Sequence, residues 1–530
     1  MAGARYPAAP LGLITVAAML PRAWSLRLID RNTEPLAAAD FAGVDLVLTT
    51  GMLPQQGDTL DIIAMCQTLG IPVAVGGPDV TSTPEIYKAA DFRVLGEAEL
   101  VIDNFVQAWS AGQRSGVFEA EKFTADVTRS PIPRFDLLTF KNYLHVGVQF
   151  SRGCPFTCEF CDIIELYGRV PRTKNTPQVL AELDTLYDLG YRGHVDFVDD
   201  NFIGNKKAVK LFLPHLIAWQ TERGFPFEFS TEASVNLADD EQLLIMMREA
   251  NFFTVFVGIE SPDTDTLIAM QKNQNTRRSL SDSIHKIYGA GMFVNAGFIV
   301  GFDSEKGSIA EPMIEAIDAT SIPVCMVGLL YALPTTQLTR RLEREGRLHQ
   351  GLDNEPFLEG DQCTAGLNFE TVRSRRDILQ DYQAVLERIY QPAAYFERVR
   401  HVGRHLSPNR PIPASAGGLK TLPADLYRLA RIVWMMSIRH PEWCRPFWTT
   451  LADCARHNPS ALRSVFGMMA LYVHLGPFSR EIVERTRQQI ASIDAGAWKS
   501  PPLAPVPPSM PQAHTSFGRQ HRPAPAPALN

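Results

Sequence analysis

A strand–helix alternation that repeats six times constrains the fold of residues 145–334 more than any other feature of this chain. Helix-like stretches such as Thr176–Leu189, Lys206–Arg223 and Asp239–Ala250 alternate with short apolar runs. These runs are His145–Phe150, His194–Val198, Phe227–Glu232, Thr254–Ile259, Phe293–Val300 and Cys325–Leu330. Repeated βα units with short connections predict a parallel barrel, and six units instead of eight predict one that is open on one side.

Three cysteines follow the first of these strands, in the run SRGCPFTCEFCD. Cys154, Cys158 and Cys161 have the spacing C-x3-C-x2-C. Three thiolates on one short loop hold three corners of a cubane iron–sulfur cluster and leave the fourth iron without a protein ligand. A structural zinc site takes four ligands, and no Cys or His follows Cys161 before His194. The spacing therefore predicts a reactive cluster, with a zinc knuckle or three unrelated thiols as the alternatives.

Polar side chains end the next three strands. Asp199 and Asp200 follow the second strand, Glu232 and Ser234 the third, and Glu260 the fourth. Chemistry in such barrels takes place at the carboxyl ends of the strands, so we expect these side chains near the cysteines. The alternatives are helix capping for the aspartates and ion pairs for the glutamates. Three arginines flank the cysteines, and we expect them either to face an acidic group or to form a basic surface: Arg152, Arg169 and Arg172.

A second α/β pattern occupies residues 1–130. Strands are predicted at Ser25–Asp30, Asp45–Thr50, Pro72–Gly76 and Phe92–Gly96, and helices at Thr59–Leu69 and Pro84–Ala90. This is the pattern of a doubly wound sheet, which binds ligands at the carboxyl ends of its strands. Glycines occur at those ends, where they suit either a bulky ligand or an ordinary sharp corner.

The predicted fold class of the whole chain is α/β. It comprises an N-terminal doubly wound domain, a partial (β/α)6 barrel and a helical C-terminal extension. A linker is predicted at residues 131–144 and the barrel at 145–334. A helical extension follows at 335–404, a Pro/Gly-rich linker at 405–424, a helical region at 425–498 and a disordered Pro/Ala-rich tail at 499–530.

The composition argues against a nucleic-acid partner and indicates the cellular compartment. The net charge is -7 and charges of both signs are mixed along the chain, so no basic stretch indicates nucleic-acid binding. We find no secretory signal and no apolar run of membrane-spanning length. A thiolate motif needs a reducing compartment, which predicts a cytoplasmic protein.

The cysteine run, with Phe160 before its last cysteine, resembles the radical S-adenosylmethionine (SAM) enzymes. The resemblance implies a [4Fe–4S] cluster whose open iron chelates SAM and cleaves it to a 5′-deoxyadenosyl radical. It also implies roles for residues at matching positions. Asp199 and Asp200 would contact the SAM amino group, Glu232 and Ser234 its carboxylate or ribose, and Glu260 its ribose. Phe160 and the motif from Gly297 to Gly301 would lie beside adenine.

The N-terminal module, with PLGLITVAAMLP and VAVGGPDVTSTPE, resembles the cobalamin-binding domain that precedes some radical SAM barrels. Only MAGARYPAAP precedes the first helix, so we expect the module to lack its first strand. It contains neither a D-x-H-x-x-G motif nor any histidine, so no histidine of this domain would ligate cobalt. The implied cobalamin contacts are Thr50, Gly51, Gly76, Gly77, Pro78, Thr81, Gly96 and Glu97.

The domain order and the segments VDDNFIGN and YALPTTQLTRRLEREGRL resemble the branch that includes hopanoid C-2 methylases and bacteriochlorophyll-pathway methylases. This implies a C-methyltransferase that acts on an unactivated carbon of a lipid or tetrapyrrole. One SAM would methylate cob(I)alamin, and a second would supply the radical that activates the substrate carbon. The alternatives are a radical rearrangement, cyclisation or oxidation without methyl transfer, and a non-catalytic SAM or cobalamin sensor.

The resemblance also implies an electron donor such as flavodoxin or ferredoxin. The apolar segment Ala461–Leu475 suggests peripheral contact with a membrane, with a buried bundle helix as the alternative.

Overall fold

Two parallel sheets organise the computed structural model, which describes residues 4–276, 278–350, 366–407 and 422–506. The predicted fold class is confirmed: a doubly wound-type domain, an open barrel and a helical C-terminal region. In chain order the strands are β1 (Tyr6–Ala8), β2 (Val47–Thr50), β3 (Val73–Gly76), β4 (Phe92–Leu95), β5 (Gly116–Glu119), β6 (Tyr143–Val148), β7 (Ser151–Arg152), β8 (Arg172–Thr173), β9 (Gly193–Phe197), β10 (Phe227–Glu232), β11 (Phe252–Glu260), β12 (Phe293–Val300) and β13 (Val324–Leu329).

The larger sheet is the predicted barrel with one strand added at its edge. Its order is β1-β6-β9-β10-β11-β12-β13, and each neighbouring pair is parallel. All six predicted strands form, with ends that differ from the prediction by at most two residues. The added strand β1 comes from the segment before the first helix, which was predicted to contain none. It pairs with β6 and thereby ties the N-terminus to the barrel.

The smaller sheet has the order β2-β3-β4-β5 and is also parallel. The prediction missed β5, and it was wrong in placing a strand at Ser25–Asp30, which forms no ladder. The buried Asp30 instead accepts hydrogen bonds from Asn32 N at 2.9 Å and from the Tyr143 hydroxyl at 2.9 Å. A local turn and a barrel contact therefore take the place of strand pairing at the end of this segment.

The helices cover both modules and form the whole C-terminal region. The predicted helix at Pro84–Ala90 is wrong, since these residues form turns and the helix lies earlier, at Pro78–Ser82. The α-helices are α1 (Leu11–Met19), α2 (Gln56–Leu69), α3 (Pro78–Ser82), α4 (Ile102–Ser110), α5 (Ile163–Leu166), α6 (Thr176–Asp188), α7 (Lys206–Glu222), α8 (Glu241–Glu249), α9 (Thr264–Ala269), α10 (Leu280–Gly289), α11 (Ala310–Thr320), α12 (Gln337–Arg344), α13 (Arg375–Ile389), α14 (Pro392–His405), α15 (Leu422–Trp434), α16 (Pro441–His457) and α17 (Leu462–Asp494).

The C-terminal helices pack on one another through buried aromatic residues. Tyr472 donates a hydrogen bond to the Tyr390 carbonyl at 2.6 Å, and Tyr395 donates one to the Met468 carbonyl at 2.7 Å. The apolar segment Ala461–Leu475 thus belongs almost entirely to a bundle helix, which is the alternative to membrane contact stated above. In the described ranges no helix is both long enough and apolar enough to cross a bilayer.

Two predictions at the C-terminal end fall partly outside the described residues. The predicted linker at 405–424 includes residues 408–421, and the predicted disordered tail at 499–530 includes 507–530, none of which the structure describes. The start of the tail is ordered, contrary to the prediction. Gln350 N donates to the Pro502 carbonyl at 2.6 Å and Ala504 N to the Leu348 carbonyl at 2.7 Å.

Phe197→Ala tests how far the barrel depends on its aromatic core. Phe197 is completely buried, and its ring lies 5.2 to 5.6 Å from the rings of Phe202, Phe229 and Phe252. Emptying this position costs about 3–5 kcal/mol. We expect the thermal unfolding midpoint, followed by circular dichroism, to fall by roughly 10 °C. Leu211→Ala on the exposed face of α7 is the control, and an equal fall there would contradict the prediction.

Candidate active site

The three cysteines lie on a loop whose base is closed by a short antiparallel ladder. Strands β7 and β8 pair Ser151 with Thr173 and Arg152 with Arg172, so the loop leaves and returns at one point. Gly153 starts the loop with φ +94°, and a Cβ there would lie 3.0–3.2 Å from three carbonyl oxygens of residues 167–170. Only glycine fits this turn, which brings the loop back against its own base.

Asp199 and Asp200 hold the start of this cysteine loop. Asp199 is buried and accepts hydrogen bonds from Phe150 N at 3.0 Å, from Ser151 N and from Ser151 Oγ at 2.5 Å. Asp200 accepts from Gly153 N at 2.8 Å. Burial raises the pKa of Asp199 to about 7 and that of Asp200 to about 6, although these hydrogen bonds oppose the rise. Both oxygens of Asp199 are engaged, which neither the SAM-contact nor the helix-cap interpretation anticipated.

Two of the three sulfurs have an amide donor nearby, which suits a cluster. Asn201 Nδ2 lies 4.0 Å from Cys154 Sγ, and Gln274 Nε2 lies 3.8 Å from Cys158 Sγ. Burial raises the pKa of the Cys154 and Cys161 thiols, so a bound cation is needed to keep them ionised. The part of the chain that the structure describes contains no trio of His, Cys, Asp or Glu arranged for a single metal ion. Three thiols with amide donors nearby fit the larger cubane, which keeps its thiolates farther apart than one zinc ion does.

The carboxylates at the barrel mouth differ in their partners. Glu260 pairs with Lys272 at 2.5 Å, which is the ion-pair alternative stated above. Glu232 makes no side-chain hydrogen bond or ion pair to a described residue. Its side chain is open to the mouth, but surrounding protein and the charges of Asp196 and Asp200 raise its pKa to about 7. Ser234 accepts a hydrogen bond from Asn201 Nδ2 at 3.2 Å, so it lies next to the residue that faces Cys154.

A cavity of about 360 Å³ opens beside the cysteine loop. Phe160 lies on its wall, with its ring 6.0 Å from that of Phe302 and 5.8 Å from Lys272 Nζ. Further lining residues include Met270, Leu330, Leu338 and Arg341. The cavity therefore combines aromatic and aliphatic walls with charged groups at its edge.

Packing of the protein itself explains the glycines of the motif on β12. A Cβ at Gly297 would meet the Phe256 ring at 3.1 Å, and one at Gly301 would meet Leu367 at 2.7 Å. Gly301 also has φ +108° and donates its N–H to Glu305 at 2.9 Å. These contacts favour the backbone-packing explanation of both glycines over a contact with adenine.

The candidate cobalamin residues gather along the carboxyl edge of the smaller sheet. Gly77 has φ +102°, and a Cβ there would collide with Thr50 Oγ1 at 2.2 Å. Thr81 Oγ1 donates to the Gly77 carbonyl at 2.8 Å and accepts from Gly96 N at 2.9 Å. Of the remaining members, Gly51 follows β2, Gly76 ends β3, Pro78 begins α3 and Glu97 follows β4. Three strand ends thus meet in one glycine-rich edge, as predicted from the sequence.

Glu97 differs from the rest of this set because it turns toward the cysteine loop. It pairs with Arg152 at 3.1 Å and with Arg172 at 2.7 Å, and Glu99 pairs with Arg152 at 2.6 Å. All four side chains are at most 16% exposed. Burial opposes ionisation of Glu99, but Arg152 lowers its pKa to about 2. Arg152 and Arg172 therefore face neither a ligand acid nor open solvent, whereas Arg169 is exposed, as the basic-surface alternative states. Glu99 was not among the residues predicted from the sequence.

A second set of ion pairs holds the loop from the opposite side. Arg341 of α12 pairs with Glu159 at 2.7 Å, and Arg340 pairs with Glu165 at 2.6 Å. Leu338 N also donates to the Glu159 carbonyl at 2.9 Å. The helix after the last barrel strand thus fixes the part of the loop between Cys158 and Cys161.

Three family models match this chain. Residues 1–106 match the B12 binding domain, residues 148–317 the Radical SAM superfamily, and residues 336–488 a domain of unknown function, DUF4070. The first two matches confirm the cobalamin-binding and radical SAM assignments made from the sequence.

Relatives match over nearly the whole chain. An uncharacterized methyltransferase of Synechocystis, sll1242, is 43% identical over 91% of this chain and 88% of its own length. The hopanoid C-2 methylase of Rhodopseudomonas palustris is 36% identical over 83% of this chain and 82% of its own. The cobalamin-dependent SAM radical enzyme OxsB shares the fold, with a TM-score of 0.58 and 14% identity over 94% of this chain and 80% of its own.

Cys158→Ala tests the cluster. We expect the anaerobically purified variant to lose most of its iron and sulfide and the visible absorbance of the cluster. The reason is that only two of the three protein thiolates that bind the cluster would remain. The unchanged protein should hold about four irons per chain. Cys444→Ala, which removes a half-buried thiol of α16, should leave the spectrum unchanged. Full iron content in Cys158→Ala would exclude this loop as the cluster site.

Substituting Glu97→Gln together with Glu99→Gln tests the contact between the two α/β modules. The change leaves Arg152 and Arg172 without their buried counter-charges, and such losses are strongly destabilising. We expect amide hydrogen exchange in residues 151–162 to rise roughly tenfold or more. Glu121→Gln, on an exposed turn of the same domain, is the matched control. Unchanged exchange in the double variant would show that the ion pairs do not hold the loop.

Proposed function

The chain belongs to the family of radical SAM methyltransferases with a B12-binding domain that includes the hopanoid C-2 methylase, and from that premise we propose that it methylates an unactivated carbon of a polycyclic lipid. The family uses a [4Fe–4S] cluster, SAM and cobalamin, as the sequence implied. Rearrangement without methyl transfer and a sensor role are not favoured by these relatives. The observation that carries the lipid substrate is the 36% identity to the hopanoid C-2 methylase, which extends over most of both chains.

We assign the chain's own residues to these groups as follows. Cys154, Cys158 and Cys161 hold the cluster, which with cobalamin supplies the radical and methyl-transfer chemistry when bound. Phe160, Asp200, Glu232, Ser234 and Glu260 surround SAM. Glu232 suits the SAM amino group, because it is the carboxylate of the mouth with no described partner. Asp199, Gly297 and Gly301 position the backbone. The edge that includes Thr50, Gly51, Gly76, Gly77, Pro78, Thr81 and Gly96 holds cobalamin, and Glu97 connects that edge to the cluster loop.

The arrangement of the two modules supports transfer between two cofactors. The glycine-rich edge and the cysteine loop are joined directly through Glu97, Arg152 and Arg172, so ligands at the two places lie on either side of one ion-pair network. A substrate carbon held between them is protected from unwanted reactions because its approach to each group is fixed. The apolar wall of Phe302, Met270 and Leu330 suits a hydrocarbon ring system.

An external electron donor completes the proposed reaction. A low-potential protein such as flavodoxin or ferredoxin would reduce the cluster. Val170 is 74% exposed and lies within the cysteine loop region, which leaves the outer side of the loop accessible to such a partner. We also propose that the protein contacts the membrane in which a polycyclic lipid resides.

An anaerobic assay tests the function. The reconstituted protein receives cobalamin, reduced flavodoxin, SAM with a labelled methyl group, and either a triterpenoid lipid or a bacteriochlorophyllide. We expect 5′-deoxyadenosine and a labelled, methylated lipid, both of which Cys158→Ala should abolish. Label in the tetrapyrrole alone would overturn the lipid assignment. A protein that contains its cluster and yet forms no 5′-deoxyadenosine would contradict the activity itself.

A further inference from the structure

A patch of large apolar side chains is exposed on the C-terminal region. It lies on α15, on the π-helical turn Met435–Arg439 that continues it, and on α16. Its members, called the apolar patch below, are Leu426, Tyr427, Leu429, Trp434, Ile438 and Trp448, each between 44% and 69% exposed. Two tryptophans exposed to this degree are unusual, because large aromatic side chains are normally mostly buried.

Tyr427, Trp434 and Ile438 recur at helical spacing and form the outer face of an amphipathic element, while Leu426 and Leu429 extend its other face beyond the part that packs. The opposite face packs inward through Met436, which is fully buried, and through Ile432 and Val433, which lie against the core. Trp448 Nε1 donates to Ser437 Oγ at 2.9 Å, which fixes the Trp448 ring beside Ile438. This hydrogen bond joins the exposed side of α16 to that of the turn, and the exposed apolar groups lie outside the packed interior.

The charges around the patch are basic and largely uncompensated. Arg431, Arg439 and Arg445 are exposed, and in the part of the chain that the structure describes they form no ion pair. The nearby Glu442 lies 3.3 Å from His440 Nδ1. This local excess of positive charge contrasts with the net charge of -7 of the whole chain.

The exposed face of α17 provides a comparison within the same region. There Arg485 pairs with Glu481 at 2.6 Å and Arg487 with Glu484 at 2.6 Å, which is the usual pattern of a solvent-facing helix. The outer surface of α15, the turn and α16 has a different pattern, in which exposed aromatic and aliphatic groups lie among Arg431, Arg439 and Arg445. That combination is typical of helices that lie in the interface of an anionic bilayer.

We propose that the apolar patch and its arginines dock the protein on an anionic lipid surface. Trp434, Ile438 and Trp448 enter the boundary between headgroups and acyl chains, where amphipathic tryptophan rings are favoured. Arg431, Arg439 and Arg445 contact lipid phosphates. This inference deepens the proposed function and rests on it for its purpose, since a membrane lipid substrate must reach the barrel from a bilayer.

Vesicle sedimentation tests the docking without any turnover. The full-length protein is mixed anaerobically with vesicles of phosphatidylcholine alone or of equal parts phosphatidylcholine and phosphatidylglycerol. We expect binding to the anionic vesicles that weakens as salt rises. Trp434→Ser with Ile438→Ser should lower the partition coefficient more than about tenfold. Arg431→Gln and Arg439→Gln should each lower it about fivefold.

Matched variants elsewhere separate the patch from general effects. Leu211→Ser and Ile268→Ser remove exposed apolar groups of the barrel, and Arg485→Gln makes the same change in net charge on α17. These controls should bind vesicles as the unchanged protein does. Equal binding by the patch variants, or no preference for anionic vesicles, would overturn the proposal. So would a fall in oligomeric mass in the patch variants without loss of vesicle binding, because the patch would then join two copies. Failure of the lipid methylation assay with intact vesicle binding would count against the substrate alone.

Discussion

The buried ion pairs between Glu97, Glu99, Arg152 and Arg172 are the contact on which the arrangement of the site depends. They join the carboxyl edge of the smaller sheet to the base of the cysteine loop, only two residues before Cys154. Removing four charged groups from water is costly, and the cost is offset only when each charge keeps its partners. The two modules therefore have one favourable relative position at this point, in which every charge of the set is paired.

The same loop is held on its other sides by further hydrogen bonds and ion pairs. Asp199 and Asp200 accept backbone hydrogen bonds from residues 150–153, and Arg341 holds Glu159. Three sets of contacts, from the smaller domain, from the barrel and from α12, fix a segment with little regular secondary structure of its own. Rigidity of this kind is what a site needs when a reactive group must meet one carbon and no other.

The sequence predicted the fold well where periodicity is strong and less well where pairing depends on distant residues. Strands such as Phe227–Glu232 and Phe293–Val300 form as predicted because their apolar runs are bounded by turns. Ser25–Asp30 is equally apolar but has no neighbouring strand, and a local pattern cannot reveal a missing partner. Tyr6–Ala8 shows the converse, since it becomes a strand only because β6 lies beside it.

In the candidate site, too, local patterns could be predicted from the sequence, whereas contacts between distant residues could not. The cysteine spacing is local and was sufficient to predict the cluster loop. Glu97 and Asp199 were also singled out, but their partners lie 55 and 48 residues away along the chain, and the sequence does not encode which partner each one meets. Glu232 differs from both, because the described structure gives it no partner and surrounds it with Asp196, Asp200 and Glu260. Desolvation by the surrounding protein, and then these neighbours of like charge, raise its pKa to about 7, so a cationic ligand at the mouth would offset both effects and favour the ionised carboxylate.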